Sequence, residues 1–203
     1  MANTANPPGL PSRDRLITAM SDALQRRGLH GTGLAELLAA ADAPRGVLYH
    51  HFPGGKTELA VAALGAYVAR IGQSLDRALA GSGWLDAPPD PLAALADWLE
   101  RAQAHIEDDG FTNGCPLAVV ALESTPADVE LRRALAEAFA AVRARIAAAF
   151  EAAGRGRAEA DAVAALVVAA YEGGLLQARA AGSLEPMAQA TGALLTLLRA
   201  GAR

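Results

Sequence analysis

An all-α fold of about nine helices is predicted for this chain by its composition and by the spacing of its apolar residues. Only 4% of the residues are aromatic, whereas alanine, leucine and arginine are abundant, and these residue types favour helices. Apolar residues recur at steps of three and four, and no segment shows the alternation typical of a half-buried strand. No apolar run reaches the roughly 20 residues that span a bilayer.

The first helix is expected over 13–27, with one apolar face formed by Leu16, Ile17, Met20, Ala23 and Leu24. Residues 1–11 before it are rich in asparagine and proline and lack the features of a secretory signal, so they are predicted to form a disordered arm. Gly28 is expected to end the helix in a left-handed conformation, with Leu29 packing back as in a Schellman motif.

Two short helices joined by a tight turn are predicted next. The first runs from about 34 to 40 after Gly33 as its N-cap, and its buried face consists of Leu34, Leu37 and Leu38. Asp42 lies in the turn, where it tolerates left-handed backbone angles. Pro44 suits the first position of the following helix, because its missing N–H would be unpaired there.

The second short helix presents side chains that suit the major groove of DNA. Leu48 and Phe52 are four residues apart and must face inward. The outward side then holds small, basic and hydrogen-bonding residues, namely Arg45, Gly46, Val47, Tyr49 and His50. Glycine is about 1 kcal/mol less favourable than alanine in a helix. Its presence on a short exposed helix indicates that another molecule approaches the backbone closely.

These residues also form a known pattern, which comprises Ala41, Arg45-Gly46, Leu48 to Phe52, Lys56 and Leu59. In this pattern the chain resembles the TetR-type family of bacterial transcriptional regulators, and the segment 43–56 is similar to its LmrA/YxaF-like subgroup. Weaker similarity to that subgroup occurs at 114–118 with 121–123, and at 172–176 with 178–179. Gly33, Asp42 and Pro44 differ from the residues usual in the broad family, although proline at 44 is usual in the subgroup.

The resemblance implies a role for each exposed residue. Arg45 and Val47 would face base edges, since arginine suits guanine and valine suits a thymine methyl group. Gly46 would lie against the DNA between them. Phosphates would be held by Thr32, Tyr49, His50 and Lys56. Lys56 would act from the start of a fourth helix.

The distribution of charge agrees with this location of the DNA-binding residues. Residues 1–56 carry a net charge of +2 and the remainder −6, so the motif lies at the positive end of a chain of formal charge −4. Arg13 and Arg15 are candidates for further contacts with the DNA backbone. A charge of +2 is modest, so we expect two such DNA-binding segments, one from each of two chains, to act side by side. A single cysteine excludes an intramolecular disulfide and favours a reducing cytoplasm.

The chain is predicted to divide into a helix-turn-helix domain over 12–56 and a ligand-binding and dimerisation domain over 57–203. The second domain would begin with a long helix over about 56–80, ended by Gly81-Ser82-Gly83, and a turn-rich loop would follow at 86–91. Five further helices are expected at about 91–107, 115–124, 127–153, 158–181 and 184–198.

The last two predicted helices are too apolar for the surface of a monomer. The resemblance favours a homodimer with a symmetric four-helix interface, formed by Leu166, Ala170, Gly174, Leu175, Ala178, Leu194 and Leu198. The alternative is that both helices belong to an ordinary core. A two-fold dimer would place two recognition helices roughly 34–36 Å apart on a palindromic operator.

Most of the few aromatic residues fall in the middle helices, where they suit a pocket for an unidentified small molecule. The expected lining consists of Tyr67, Ile71, Trp98, His105, Phe111, Cys115, Leu117, Val120, Phe139 and Tyr171. The alternative is that these residues only fill the core. Cys115 at a helix N-terminus has two interpretations, a thiol of lowered pKa that senses oxidants or a small buried hydrophobe.

We therefore expect a ligand-responsive, DNA-binding transcriptional regulator, a homodimeric repressor that a small molecule releases from its operator. No cofactor and no metal are expected. An enzyme is one rival, with His50, His51, His105 and Cys115 as its candidate groups, but the chain has no metal-ligand spacing, phosphate loop or nucleophile elbow. The second rival is a helical ligand-binding or interaction module that does not bind DNA. The intact set of predicted DNA-contacting residues argues against it.

Overall fold

The computed structural model describes residues 10–79 and 90–201, and all regular structure within these ranges is helical. The predicted all-α fold is confirmed. The predicted arm over 1–11 and the loop over 86–91 lie mainly outside the described residues, as does Gly81-Ser82-Gly83. The helices of the described part are α1 (Ser12–Arg27), α2 (Leu34–Ala40), α3 (Arg45–His51), α4 (Gly55–Leu79), α5 (Pro91–Asp108), α6 (Pro116–Glu123), α7 (Val129–Ala152), α8 (Arg157–Ala181) and α9 (Glu185–Ala200).

Three details at the helix ends differ from the predictions. Pro44 is the N-cap of α3, with φ −70° and ψ 156°, and not its first helical residue. The start of α7 is delayed to Val129, because Thr125 and Asp128 form a turn in which the Thr125 N–H and hydroxyl donate to the Asp128 carboxylate. Gly28 has the predicted positive φ of 72°, but its ψ of −174° is extended and no Schellman ending forms.

The described residues form two compact units. Unit 1 comprises Met1–Val68 and Cys115–Ala138, and unit 2 comprises Ala69–Gly114 and Phe139–Arg203. This grouping differs from the sequence-based division at residue 57, because α6 packs against α1 and so joins the helix-turn-helix. The first three helices of unit 1 enclose fully buried leucines and a methionine at the predicted inward positions, namely Leu16, Met20, Leu24, Leu37 and Leu48.

Unit 2 has its own core, to which α4, α5, α7, α8 and α9 contribute. Its buried members include Leu75, Leu99, Phe150, Val167 and Leu194. The helices α8 and α9 pack along each other, and an added Cβ at Gly174 would lie 3.1 Å from the backbone of Met187. A glycine at this position therefore allows the two helices to approach closely. Within the described residues, none of the helices is both long enough and apolar enough to cross a bilayer.

Candidate nucleic-acid interface

The helix α3 has one buried and one exposed side, divided as the sequence predicts. Leu48 is fully buried and Phe52, just after the helix, is 2% exposed. Arg45, Gly46, Tyr49 and His50 are exposed, whereas Val47 is half-buried, and those five residues form the outward side. Their contacts with DNA remain predictions.

Arg45 and Tyr49 lie one helical turn apart and contact each other. The Arg45 guanidinium carbon is 5.7 Å from the centroid of the Tyr49 ring, within the range of a cation–π interaction. The Tyr49 ring in turn packs on Gly55 at the start of α4, whose added Cβ would lie 3.3 Å from the ring carbon Cε1. The Tyr49 ring thus contacts both Gly55 and the Arg45 guanidinium.

Gly46 is not required by any contact within the protein. A Cβ added at this position would meet no atom within 4 Å, and the residue is the second of the short helix α3. Alanine would therefore fit and would favour the helix. The close approach of a partner to this backbone stays a prediction, and the open space at Gly46 is compatible with it.

Side chains of α1 brace the turn and the recognition helix. The guanidinium of Arg15 donates to the carbonyls of Ala41 and Asp42 over 2.9 and 2.8 Å, which stabilises the turn where Asp42 has a positive φ of 46°. Arg15 is therefore part of the scaffold in this structure, and its contact with the DNA backbone stays a prediction. Ser12 Oγ and His51 Nε2 form a hydrogen bond of 2.8 Å that ties α1 to the end of α3.

Two predicted phosphate contacts have other partners in this structure. Thr32 is buried, and its hydroxyl donates to the carbonyl of Gly28 over 2.6 Å. We therefore leave it out of the interface. Lys56 is half-buried, and its Nζ donates to the carbonyl of Leu29 over 2.5 Å. Burial lowers the pKa of the Lys56 ammonium, and the nearby Glu123 carboxylate acts in the opposite direction. The Lys56 ammonium has three N–H donors, so it can keep its bond to Leu29 and still donate to a phosphate.

Glu123, at the end of α6, is a residue of this site that the sequence analysis did not single out. Its Oε2 accepts from the N–H of Leu29 over 2.6 Å, and the N–H of His30 lies 3.4 Å from the same oxygen. The Schellman ending predicted for α1 is absent because the Leu29 N–H is used here. The only signal in the sequence was the weak similarity at 121–123, which carried no role.

Comparisons with known proteins agree with this geometry. Residues 16–63 match the family of bacterial regulatory proteins described as the tetR family. Residues 91–193, half of the chain, match the C-terminal domain of LmrA/YxaF-like transcriptional regulators. The chain belongs to the TetR family. It is a DNA-binding transcriptional regulator with a helix-turn-helix, and the family consists of regulators rather than enzymes.

Individual members of the TetR family are similar over nearly the whole chain. The HTH-type transcriptional regulator LmrA of Bacillus subtilis (strain 168) is 27% identical over 188 residues, which cover 93% of this chain and 97% of the relative. The regulatory protein TetR from Rhodobacter sphaeroides has a solved structure with a TM-score of 0.79 and 26% identity, covering 91% and 97%. A cysteine mutant of the regulator CifR, solved with 26-bp operator DNA, shares the fold at 23% identity and a TM-score of 0.74, covering 94% and 98%.

The residues predicted to line an effector pocket are divided between the two units. Tyr67, Cys115, Leu117 and Val120 lie in unit 1, and the other six lie in unit 2. Within unit 2, the rings of Trp98 and Tyr171 lie 5.4 Å apart, and Ile71 packs against the same cluster. His105 is exposed, and its place in the lining stays a prediction. Phe111 and Phe139 are half-buried.

Cys115 is 3% exposed and is the N-cap of α6. Such burial suits the interpretation of this residue as a small hydrophobe, since a reactive thiol needs access to its reagent.

The predicted dimer-interface residues are mostly used within the chain. Gly174, Leu175, Ala178, Leu194 and Leu198 are all buried, and both Leu194 and Leu198 belong to the core cluster of unit 2. For these five the alternative of an ordinary core is correct. Of the other two, Ala170 is half-buried and Leu166 is 47% exposed.

The exposed apolar residues of α8 and α9 lie on other faces of the same helices. Leu176 is 63% exposed and Leu197 is 65% exposed, and neither was predicted. Both helices are apolar on more than one side, so the spacing of apolar residues did not identify which side faces the core.

Proposed function

We propose that this TetR-family regulator is a homodimeric repressor that binds a palindromic operator and releases it when a small molecule binds. The observation that carries the proposal is the exposed side of α3, where Arg45 is held over Tyr49 beside the open backbone of Gly46. An arginine held in this way suits a bidentate contact with guanine in the major groove. The solved complex of CifR with 26-bp operator DNA supports the same use of the fold.

The proposed dimer rests on an uncharged stripe along α8. Its exposed members recur at helical spacing and are Ala162, Ala165, Leu166, Ala169, Leu176 and Ala180. The exposed part of α9 adds Ala193, Leu197 and Ala200. Apolar surface of this kind is stabilised by burial against a second copy, and a two-fold axis lets the same stripe serve both partners. Dimers of this kind are typical of the TetR family.

A small apolar effector is proposed to bind in unit 2, near Trp98 and Tyr171. The Trp98 Nε1–H donates to Ser74 Oγ over 3.2 Å, so polar groups lie beside the aromatic pair. An apolar site with a few polar groups is typical of small-ligand pockets. Because α4 runs from unit 1 into unit 2, it can transmit a change between them. We propose that this change separates the two recognition helices.

The proposal is tested with labelled DNA from upstream of the protein's own gene. Wild-type protein is expected to bind it with an affinity that falls steeply with salt, because phosphate contacts release counterions. Tyr49→Ala is expected to lose binding. The matched control is Arg133→Ala, which removes an exposed arginine of α7 paired with Glu137 and is expected to bind like the wild type. Equal binding by wild type and Tyr49→Ala would contradict the proposed role of α3.

Release by an effector has a separate test. Trp84→Phe leaves Trp98 as the only tryptophan, and quenching of its fluorescence reports small aromatic compounds that bind. A compound that weakens operator binding must bind less well to the DNA complex by the same factor. Equal affinity for the compound with and without operator would rule out the proposed release.

A further inference from the structure

The connection between α1 and α2, residues 28–33, is bound by a side chain that is distant in sequence. The N–H of Leu29 donates to Oε2 of Glu123 over 2.6 Å, and the N–H of His30 lies 3.4 Å from the same oxygen. On the other side, the carbonyl of Leu29 accepts from Nζ of Lys56 over 2.5 Å. One short stretch of backbone is thus bonded to both a carboxylate and an ammonium.

The peptide group between Leu29 and His30 lies between two opposite charges. Its carbonyl is bonded to Lys56 and its N–H faces Glu123. Each charge polarises the peptide in the sense that strengthens the bond at the other end. Hydrogen bonds to ionised groups are also stronger than those between neutral groups. The two charges therefore support each other through the backbone of the connection.

Two features of the local sequence fit this contact. Glu123 is the last residue of α6, where the helix dipole disfavours a carboxylate. Gly28 adopts φ +72° with an extended ψ, a conformation that is open almost only to glycine. A Cβ at Gly28 would also collide with the Glu123 carboxylate. The glycine and the glutamate are thus matched to each other.

We propose that Glu123 is a positioning residue for operator binding, which fixes the α1–α2 connection and, through it, the start of α2 and the ammonium of Lys56. The inference rests on the proposed function. Arg15 holds the other end of α2 through the carbonyls of Ala41 and Asp42. Both ends of α2 are then ordered before DNA arrives, so binding does not have to supply the free energy of ordering them.

The test compares Glu123→Ala and Glu123→Gln with the wild type, using the full chain, the same upstream DNA and one salt concentration. Glu123→Ala is expected to bind about tenfold more weakly, and Glu123→Gln, which keeps an acceptor oxygen, within about threefold of the wild type. Leu122→Ala, at the 83% exposed neighbour, is expected to show no change. Wild-type affinity in Glu123→Ala, or equal loss in both variants, would overturn the proposal.

A second measurement on the free protein keeps the inference separate from the proposed function. The backbone amide of Leu29 is expected to be protected from hydrogen exchange in the wild type and in Glu123→Gln, but not in Glu123→Ala. Unchanged protection in Glu123→Ala would show that the carboxylate does not hold the connection. A wild type that binds no DNA, while the amide behaves as expected, would contradict the proposed function and leave the contact itself intact.

Discussion

The guanidinium of Arg45 lies over the ring of Tyr49, with 5.7 Å between the guanidinium carbon and the ring centroid. The two residues are four apart on α3, so the helix itself brings them together. The ring also packs on Gly55, so the arginine rests on a supported surface. This contact restricts where the Arg45 guanidinium lies, and we propose that it prepares the guanidinium to meet a base edge.

The support that Tyr49 gives to Arg45 can be separated from its hydroxyl group. Tyr49→Phe keeps the ring and is expected to reduce operator affinity by only a few-fold, because an exposed cation–π contact contributes about 0.5–1 kcal/mol and is retained. Tyr49→Ala loses both the ring and the hydroxyl and is expected to bind more than about tenfold more weakly. The measurement is fluorescence anisotropy with operator DNA. Equal effects of the two substitutions would show that the ring gives no support.

Gly46→Ala is expected to make the protein more stable and a weaker DNA binder. The added methyl group has open space in the protein, so the free energy of unfolding should rise by up to about 1 kcal/mol. Gly65→Ala is the matched control, since Gly65 is also exposed within a helix and its Cβ would meet nothing within 4 Å. Denaturant unfolding should show a higher free energy of unfolding in both variants. A DNA-binding assay should show a loss of operator affinity in Gly46→Ala alone. Full affinity in Gly46→Ala would remove the argument for close approach.

The proposed dimer predicts that charges on the uncharged stripe produce monomers. Leu176→Glu and Leu197→Glu each place a carboxylate on an apolar surface that would be buried between two copies. Analytical ultracentrifugation should show a shift from dimer to monomer, together with weaker operator binding. Leu122→Glu alters a leucine of α6 that is more exposed than either of these, and this variant should remain dimeric. Dimers in all three variants would place the interface elsewhere.

The turn before α7 predicts a pH-dependent contribution to stability. Hydrogen bonds from the Thr125 side chain and backbone lower the pKa of the Asp128 carboxyl below its ordinary value. A lowered folded-state pKa stabilises the fold above the ordinary pKa of about 4, and that stability is lost as the pH falls through the folded value. Asp128→Ala is therefore expected to lower the Tm slightly at pH 7. The difference in Tm between the wild type and Asp128→Ala should become smaller below pH 4. A Tm difference that does not change with pH would show that the Asp128 carboxylate is not its cause.

Local spacing was enough to predict the exposed side of α3, because the inward residues Leu48 and Phe52 lie one turn apart. The partners of Lys56 and Glu123 could not be predicted in the same way. Glu123 contacts Leu29 across 94 positions of sequence, and no periodic pattern identifies such a partner. The dimer residues were misplaced for a related reason, since α8 is apolar on two sides and only the packing of α9 shows which side is covered.

If Arg45 reads a base in the operator, its removal should change the sequence preference of the protein at that base. Wild type and Arg45→Ala are compared on a panel of operators in which each base pair is changed in turn. The wild type is expected to discriminate at one guanine in each half-site by roughly 1–3 kcal/mol, and Arg45→Ala is expected to lose discrimination at that guanine only. If the two proteins discriminated equally at every operator position, Arg45 would not read a base.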